Sequence, residues 1–322
     1  MCDINAPFFN DEEAARNYLE GQRWEKGRFC PHCGGTERTY PVKPRTKKST
    51  VRKGLYYCND CNQQFSVTVG TLFERSHVPL DKWLMVAYLM SSSKKGISAK
   101  QIERHLGVTY KTAWFMCHRI REAMKDHSGL LGGGGKTVEV DETFWGGEAR
   151  KKLKPKKARG YHHKEKIFAL VERNGRARSF HVNSISGKTI FPIMKEHIAK
   201  DTHINTDEGS NYVHVAQNKE MERRPLEDMF DKHSFIKHHI GEYVRGDVYT
   251  NTIEGFFSIF KRGINGIYQH CSTQHLQRYL GEFDFRYSYR EKLGYDDMAR
   301  TNIALKGIEG KRLMYRDSLP AK

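Results

Sequence analysis

The chain is 322 residues long and 38% hydrophobic, with a formal net charge of +17 at pH 7, enough for two or three domains with real cores. A mean hydropathy of −0.74 and the lack of a long apolar run exclude a membrane span, and the acidic opening MCDINAPFFNDEEAARNYLE lacks a signal-peptide core, which predicts a cytoplasmic protein. So large a basic excess predicts a polyanionic partner, and nucleic acid is favoured over an anionic membrane because no basic amphipathic helix with a lipid-facing aromatic side stands out.

The first predicted element is a short helix. Asn10 precedes an acidic turn with Glu13 three residues on, the pattern of a capping box, and Ala14, Ala15, Tyr18 and Leu19 give one apolar face. Two CxxC pairs follow, Cys30/Cys33 and Cys58/Cys61, separated by 24 residues. Two such knuckles supply four thiolates for one tetrahedral Zn²⁺, a structural ion closing a mini-domain too small to fold alone. No thioredoxin-like pattern surrounds either pair, so a redox role is the weaker reading. Cys2, Cys117 and Cys271 are left over as thiols of no special role. The alternation in QQFSVTV predicts a strand after the second knuckle. Residues 42–53 carry six basic groups and no acid.

From about residue 79 the pattern turns helical. PLDKWLMVAYLMSSS predicts one helix, and SAKQIERHLGVTYKTAWFMCHRIREAM predicts two more, broken at Gly107. A short helix, a glycine turn and a longer helix are the signature of a helix-turn-helix. Thr109 would cap the second helix, whose first turn offers Tyr110, Lys111 and Thr112 to a DNA groove. Ile102, Leu106, Val108, Ala113, Phe115 and Ile120 form its expected core. An ordinary helical pair has the same spacing; the basic, cysteine-bearing context favours DNA.

The run SGLLGGGG (128–135) predicts a flexible boundary. Strands dominate beyond it. KTVEVDETFWGG, KIFALVE and ARSFHVN predict a three-stranded meander, with Asn174-Gly175 as the hairpin turn. A helix (KTIFPIMKEHI), a short strand (INTD), a further strand (SFIKH), the Glu254 helix and a last helix over 273–290 follow. These segments read β-β-β-α-β-β-α-α, and the expected fold is ribonuclease H-like, whose order is β-β-β-α-β-α-β-α. Residues 150–166 carry nine basic groups against one Glu. Lys151, Lys152 and Lys154 are therefore assigned to the DNA backbone, although a solvated loop has the same composition.

Asp141 and Asp207 each close a strand-like run, and Glu254 lies in the helix YTNTIEGFFSIFKRG. Two strand-end aspartates and a helix glutamate can hold a pair of divalent cations for phosphoryl transfer, Mg²⁺ or, as a permissive substitute, Mn²⁺. Glu142 and Glu208 are rival ligands beside them, but strand neighbours point to opposite faces, so only one of each pair serves. Asn251 shares the face of Glu254 and is expected near the metals or DNA. Lys261 and Arg262 lie two turns on, placed to hold a phosphate. His162, His163, His233, His238 and His239 match no standard metal spacing.

CPHCGG, YYCNDCNQQFSVTVGTLFE, VEVDETFWGG, INTDEGSNY and NTIEGFFSIFKRGINGIYQHCSTQHLQRYLGEFDFRY resemble the insertion-sequence transposases of the fifteen-ninety-five family, the zinc-ribbon, ISXO-like enzymes. The match is collinear from about residue 8 to about residue 290. It departs at Ser288, where the family often has Asn, and at Gln269, where His is common. The resemblance implies a bacterial or archaeal, nucleoid-associated DDE transposase whose triad maps onto Asp141, Asp207 and Glu254, with Asn251 also matching the helix motif.

The expected architecture is therefore multidomain α+β: an N-terminal helix and zinc ribbon (1–75), a helix-turn-helix DNA-binding domain (76–128), a glycine-rich linker (129–135), a ribonuclease H-like α/β catalytic core (136–290) and a C-terminal tail (291–322). The expected function is DNA transposition: binding of inverted-repeat ends, two-metal strand cleavage and transfer to target DNA, by at least a homodimer on DNA. The rivals are a ribonuclease H-like nuclease or resolvase, and a non-catalytic regulator using only the ribbon and helix-turn-helix.

Overall fold

The computed structural model describes residues 4–44, 50–125, 128–146, 164–209, 211–212, 225–314 and the short pairs 214–215 and 222–223. The chain divides into two compact units, residues 1–126 with 294–322, and residues 127–293.

The first unit starts with a 3-10 turn, Pro7–Phe9, and helix α1, Glu12–Arg23. The cap lies one residue later than the expected box. Asn10 and Asp11 donate their N–H groups to the Pro7 carbonyl, and the Asp11 carboxylate accepts from the Ala14 N–H at 2.7 Å. An antiparallel sheet of β1 (Thr39–Pro41), β2 (Tyr56–Cys58) and β3 (Gln63–Phe65) follows, its last strand shorter than the alternation predicts. Helices α2 (Leu80–Ser92), α3 (Ala99–Leu106) and α4 (Tyr110–Met124) come next.

Of the segment 291–322, expected as a tail, the part from Gly294 on belongs to this same unit. Residues Asp297–Lys306 form a helix, α8 in chain order, which packs on α1, α2 and α4. Leu72 donates to the Ile308 carbonyl, Gly310 to the Gly70 carbonyl, and Lys311 Nζ to the carbonyls of Glu122 and Lys125, both at 2.9 Å. Lys311 thus takes up carbonyls at the end of α4, where a cation is favoured. The helix escapes a periodicity reading because its apolar positions are few and its cap, Asp296, follows directly on a turn.

The second unit is built on a five-stranded mixed sheet in the order β10-β7-β4-β5-β6. Its strands are β4 (Thr137–Trp145), β5 (Glu165–Glu172), β6 (Ala177–Val182), β7 (His203–Thr206) and β10 (Lys232–Phe235). Strands β8 and β9 (214–215 and 222–223) form a separate pair. The meander β4-β5-β6 is antiparallel as expected, turning at Asn174 with φ +53°; β7 and β10 add in parallel on the other side of β4. Among the described residues no helix separates β7 from β10, where the ribonuclease H-like order has one.

Helix α5 (Gly187–His197) packs on one face of the sheet through Ile190 and Met194 against Val138, Val140, Phe168 and Leu170. Helices α6 (Asn251–Gly263) and α7 (Thr273–Ser288) pack on the other, against Ile167, Ala169 and Val171. Alternate residues of β5 thus serve two different cores, as a strand covered on both faces requires. Ser288, the departure from the family pattern, is buried and accepts the Ala177 N–H at 3.0 Å, tying α7 to the start of β6.

The glycine run is not a free linker. Gly132, Gly133, Gly134 and Gly135 all have positive φ. Their N–H groups go to Glu172 (3.2 Å), Thr202 Oγ1 (2.9 Å), Asp201 Oδ2 (2.6 Å) and the Asp201 carbonyl (3.1 Å). Only glycine sustains four consecutive left-handed residues without strain, so the run is a bonded strap on the second unit. Leu131 beside it is fully buried in the α5 core.

One close approach in the first unit, to rigid backbone, is at the end of α8. A Cβ on Gly307 would lie 2.2 Å from the Ala123 carbonyl oxygen, a rigid backbone atom. Gly307→Ala should therefore cost about 1–3 kcal/mol by overpacking. Thermal unfolding checks this: a midpoint falling by roughly 2–4 °C per kcal/mol is expected for a unit of this size, and an unchanged midpoint would remove α8 from the account of stability.

Candidate active site

The four knuckle cysteines come together as the spacing predicts. Their sulfurs all lie within 4.8 Å of one another, the one such group of metal-ligand atoms among the described residues. Cys30 and Cys61 Sγ are 3.6 Å apart, as are Cys33 and Cys58. A tetrahedron with Zn–S bonds of ~2.3 Å has edges of about 3.8 Å, so the cluster fits zinc. At 3.6 Å the pairs are far too long for disulfides. The clustered thiols act on one another: the Cys61 backbone N–H holds the Cys58 thiol down to about 7, whereas burial and contact with Cys30 push the Cys61 thiol up to about 12. His32 turns away, its Nε2 3.3 Å from the Gln64 carbonyl.

Helix α3 is capped by Ser98 on the Gln101 N–H, and Gly107 ends it in the left-handed conformation, φ +60° and ψ +34°. Thr109 caps α4 by accepting from the Thr112 N–H at 3.2 Å, as predicted. Tyr110 and Lys111 are exposed at its start and Thr112 is half-buried. Of the expected core, Ile102, Ala113 and Ile120 are fully buried, whereas Leu106, Val108 and Phe115 are only half-buried.

The acidic residues occupy the second unit. Asp141 is not at a strand end: β4 runs on to Trp145 and pairs with β5 along its whole length. The end that matters belongs to β7. Strands β4 and β7 pair in parallel, Thr137 opposite His203 and Glu139 opposite Asn205. The same offset of 66 residues separates Asp141 from Asp207, the residue just past Thr206. Parallel partners in register point to one face, so the two aspartates emerge side by side. Asp141 lies opposite Ala169 of β5, which belongs to the core under α6.

Glu254 is delivered by α6. Ile253, Phe256, Phe257 and Phe260 bury one stripe of that helix against the sheet. The opposite stripe, Asn251, Glu254, Ser258, Lys261 and Arg262, is exposed. Sequence reasoning missed the residue that fixes this helix. Glu139 is fully buried two residues before Asp141 on the same strand face. Its Oε2 accepts the N–H groups of Thr252 and Ile253 at 2.9 and 3.0 Å, and its Oε1 accepts from Arg173 Nε at 2.7 Å. Arg173 in turn donates to the carbonyls of Asp247 (2.7 Å) and Tyr249 (2.9 Å) and lies 3.5 Å over the Tyr249 ring. The signal was present: in VEVDE an acid sits at the inward position two before the aspartate, where an apolar residue is expected.

The carboxylates feel one another. Burial, then the charges of Asp207, Glu142 and Glu254, push the Asp141 carboxyl well above its ordinary range. The all-oxygen donors of this group would suit Mg²⁺ or Mn²⁺. The rivals have other partners. Glu142 accepts from Tyr212 (2.5 Å) and Asn211 (3.3 Å), and Glu208 from the His239 N–H (2.9 Å) and ring. His233 is buried with its Nε2 2.9 Å from Thr206 Oγ1. His238, unassigned from sequence, brings its Nε2 to 4.0 Å from Glu254. Lys151, Lys152, Lys154, His162 and His163 lie outside the described residues.

The four-sulfur cluster thus lies in the first unit and the acidic residues around Asp141 in the second. Residues 130–288 match the family model described as the ISXO2-like transposase domain, and residues 10–64 match the transposase zinc-ribbon domain. The chain belongs to the fifteen-ninety-five (IS1595) family of transposases. It is 26% identical over 304 residues to a Halobacterium salinarum protein described as an uncharacterized protein in the transposable element ISH50, covering 89% of this chain and 94% of that one.

Two outcomes follow. Protein purified without chelator should carry one zinc per chain by metal analysis, and Cys58→Ser should lose it and expose the ribbon to proteolysis; a zinc-free, protease-resistant wild type would contradict this. Glu139→Gln leaves the half-buried Arg173 without its countercharge and should cost up to about 3 kcal/mol of stability. Denaturant unfolding reads that loss, and a change within error would show that α6 is held by its apolar stripe alone.

Proposed function

We propose that the protein is a DNA transposase that binds the inverted-repeat ends of its element and carries out metal-dependent cleavage and strand transfer at Asp141, Asp207 and Glu254. The observation that carries the reading is the β4–β7 register, which sets Asp141 beside Asp207 while Glu139 holds the helix bearing Glu254 over the same sheet face. Family membership supports it independently. The described sheet, three antiparallel strands with two parallel additions and helices on both faces, supports a ribonuclease H-like core.

A pair of Mg²⁺ or Mn²⁺ ions, when bound, would supply charge neutralisation at the attacking and leaving oxygens. Asp141 and Asp207 would hold them from adjacent strands, and Glu254 would complete the set from the helix. In the first reaction a water oxygen attacks the phosphorus and the 3′ oxygen of the cleaved strand leaves, taking a proton to become a hydroxyl. In the second, that 3′ hydroxyl attacks a target phosphodiester, forming the new bond as the old one breaks. Neither displacement forms a bond to the enzyme. Asn251 lies on the exposed stripe of α6 with Glu254, in reach of the same DNA strand. Lys261 and Arg262 continue that stripe and neutralise backbone phosphate, as Lys151, Lys152 and Lys154 do elsewhere.

End recognition falls to the ribbon and to the helix pair, read as a helix-turn-helix with Tyr110, Lys111 and Thr112 at the groove. Pairing two ends requires at least a dimer on DNA. The working compartment is the cytoplasm, at the nucleoid; no described helix is long and apolar enough to cross a membrane.

The test uses labelled element ends, target DNA and Mg²⁺. Asp141→Asn, Asp207→Asn and Glu254→Gln should each abolish cleavage and joining while leaving end binding intact, because amide oxygens bind hard cations weakly. Glu142→Gln and Glu208→Gln should keep strand chemistry. Cleavage without joining would identify a nuclease or resolvase. Sequence-specific binding without cleavage by wild-type protein would identify a regulator.

A further inference from the structure

We propose that the loop 237–246 works as a wedge at the DNA end, with Ile240 prying one base pair apart and Tyr243 stacking on the freed base beside the acidic trio. The inference rests on the transposase reading of that trio. Among the described residues seven large apolar side chains are exposed, and three of them fall within five positions: Ile240 at 66%, Tyr243 at 62% and Val244 at 54%. Clustered exposed apolar side chains mark an interaction site.

The loop holds them out by design of its backbone. Lys237 N–H donates to Glu242 Oε2 at 3.1 Å, and Glu242 N–H donates back to the Lys237 carbonyl at 3.2 Å. Gly241 N–H reaches the His238 carbonyl at 3.0 Å. Arg245 and Val248 exchange backbone bonds of 2.9 and 3.0 Å, and Arg245 Nη2 donates to the Phe235 carbonyl at 2.9 Å. Gly241 and Gly246 take the left-handed conformations that the two bends need. The apolar tip is therefore preformed.

Its position selects the partner. Tyr243 packs on the His238 ring at 5.3 Å, and His238 Nε2 lies 4.0 Å from the Glu254 carboxylate. His239, the next residue, is tied through its N–H to Glu208, which follows Asp207. One ring thus separates Tyr243 from the carboxylates that would face the scissile phosphate. Lys237 and Arg245, both exposed, flank the apolar tip. Cations beside an apolar wedge, next to an acidic centre, match a nucleic-acid end: phosphates meet the cations, and the base next to the reacting phosphate meets the ring. Opening that pair frees the backbone to turn its phosphorus toward the in-line attack.

The experiment uses the full chain and duplexes carrying the element's terminal repeat, with thymines placed at the base pairs flanking the cut. Complexes formed in Ca²⁺ in place of Mg²⁺ are probed with permanganate, which oxidises unstacked thymine. Wild type should make a thymine at the cut reactive. Ile240→Ser and Tyr243→Ala should lose that reactivity and bind the end about tenfold more weakly, the scale of one stacked base. Tyr243→Phe should retain both properties. A mismatch built into the flanking pair should restore cutting by Ile240→Ser, since the pair is already open. An unchanged footprint in Tyr243→Ala, or a cutting defect that the mismatch does not relieve, overturns the wedge while wild-type cutting leaves the transposase reading standing. A shift of these variants from dimer to monomer with the footprint intact would make the loop a contact between copies and equally overturn it. Wild type that neither binds nor cuts the ends would overturn both readings together.

Discussion

The pairing of the buried Glu139 with the half-buried Arg173 is the constraint on which the candidate site depends. One carboxylate, with no exposed surface, ties the strand that bears Asp141 to the helix that bears Glu254 through two backbone N–H groups and a guanidinium. A negative charge at a helix N-terminus is favoured by the helix dipole, and bonds to charged groups are stronger than neutral ones. Burying that charge is costly, so both oxygens are satisfied. The result is a rigid relation between two elements far apart in sequence. The third carboxylate needs no such device, because the parallel register of β4 and β7 already places Asp207 beside Asp141.

Most of the core was legible in the sequence because it rests on local rules. Strand-like runs bounded by turn residues located β4, β5 and β6, the Asn174-Gly175 pair marked the turn between β5 and β6, and the three-residue spacing of Asn251 and Glu254 put them on one face of α6. The cysteine spacing led directly to the four-sulfur cluster, and Thr109 to its cap. What the sequence hid depends on pairing between distant segments. That β4 extends past Asp141 while β7 stops at Thr206 is a fact about register. The role of Glu139 is set by two partners, on a hairpin and on a helix, that no window of sequence brings together. The final helix and the glycine strap were misread for the same reason: composition suggested a tail and a linker, whereas their bonds go to residues such as Ala123, Thr202 and Asp201.

The sulfur cluster and the acidic group place opposite demands on their surroundings. The sulfur cluster is closed: four ligands from two knuckles leave no vacant position, as suits an ion that stands in for a hydrophobic core. The acidic group is open. Glu254 is half exposed on a stripe that continues into Lys261 and Arg262, so a strand of DNA can reach it. Burial, with the charges of Asp207, Glu142 and Glu254 added to it, raises the Asp141 carboxyl above its ordinary range, and a divalent cation bound there would offset both effects.

The central claim is that Asp141, Asp207 and Glu254 form a single cation site. Calorimetric titration of Mn²⁺ into the zinc-loaded chain bound to end DNA tests it without relying on turnover. The account predicts binding of a pair of ions per chain in the wild type, and its loss in Asp141→Asn with the fold and DNA affinity retained. Equal Mn²⁺ binding by the two proteins would contradict it.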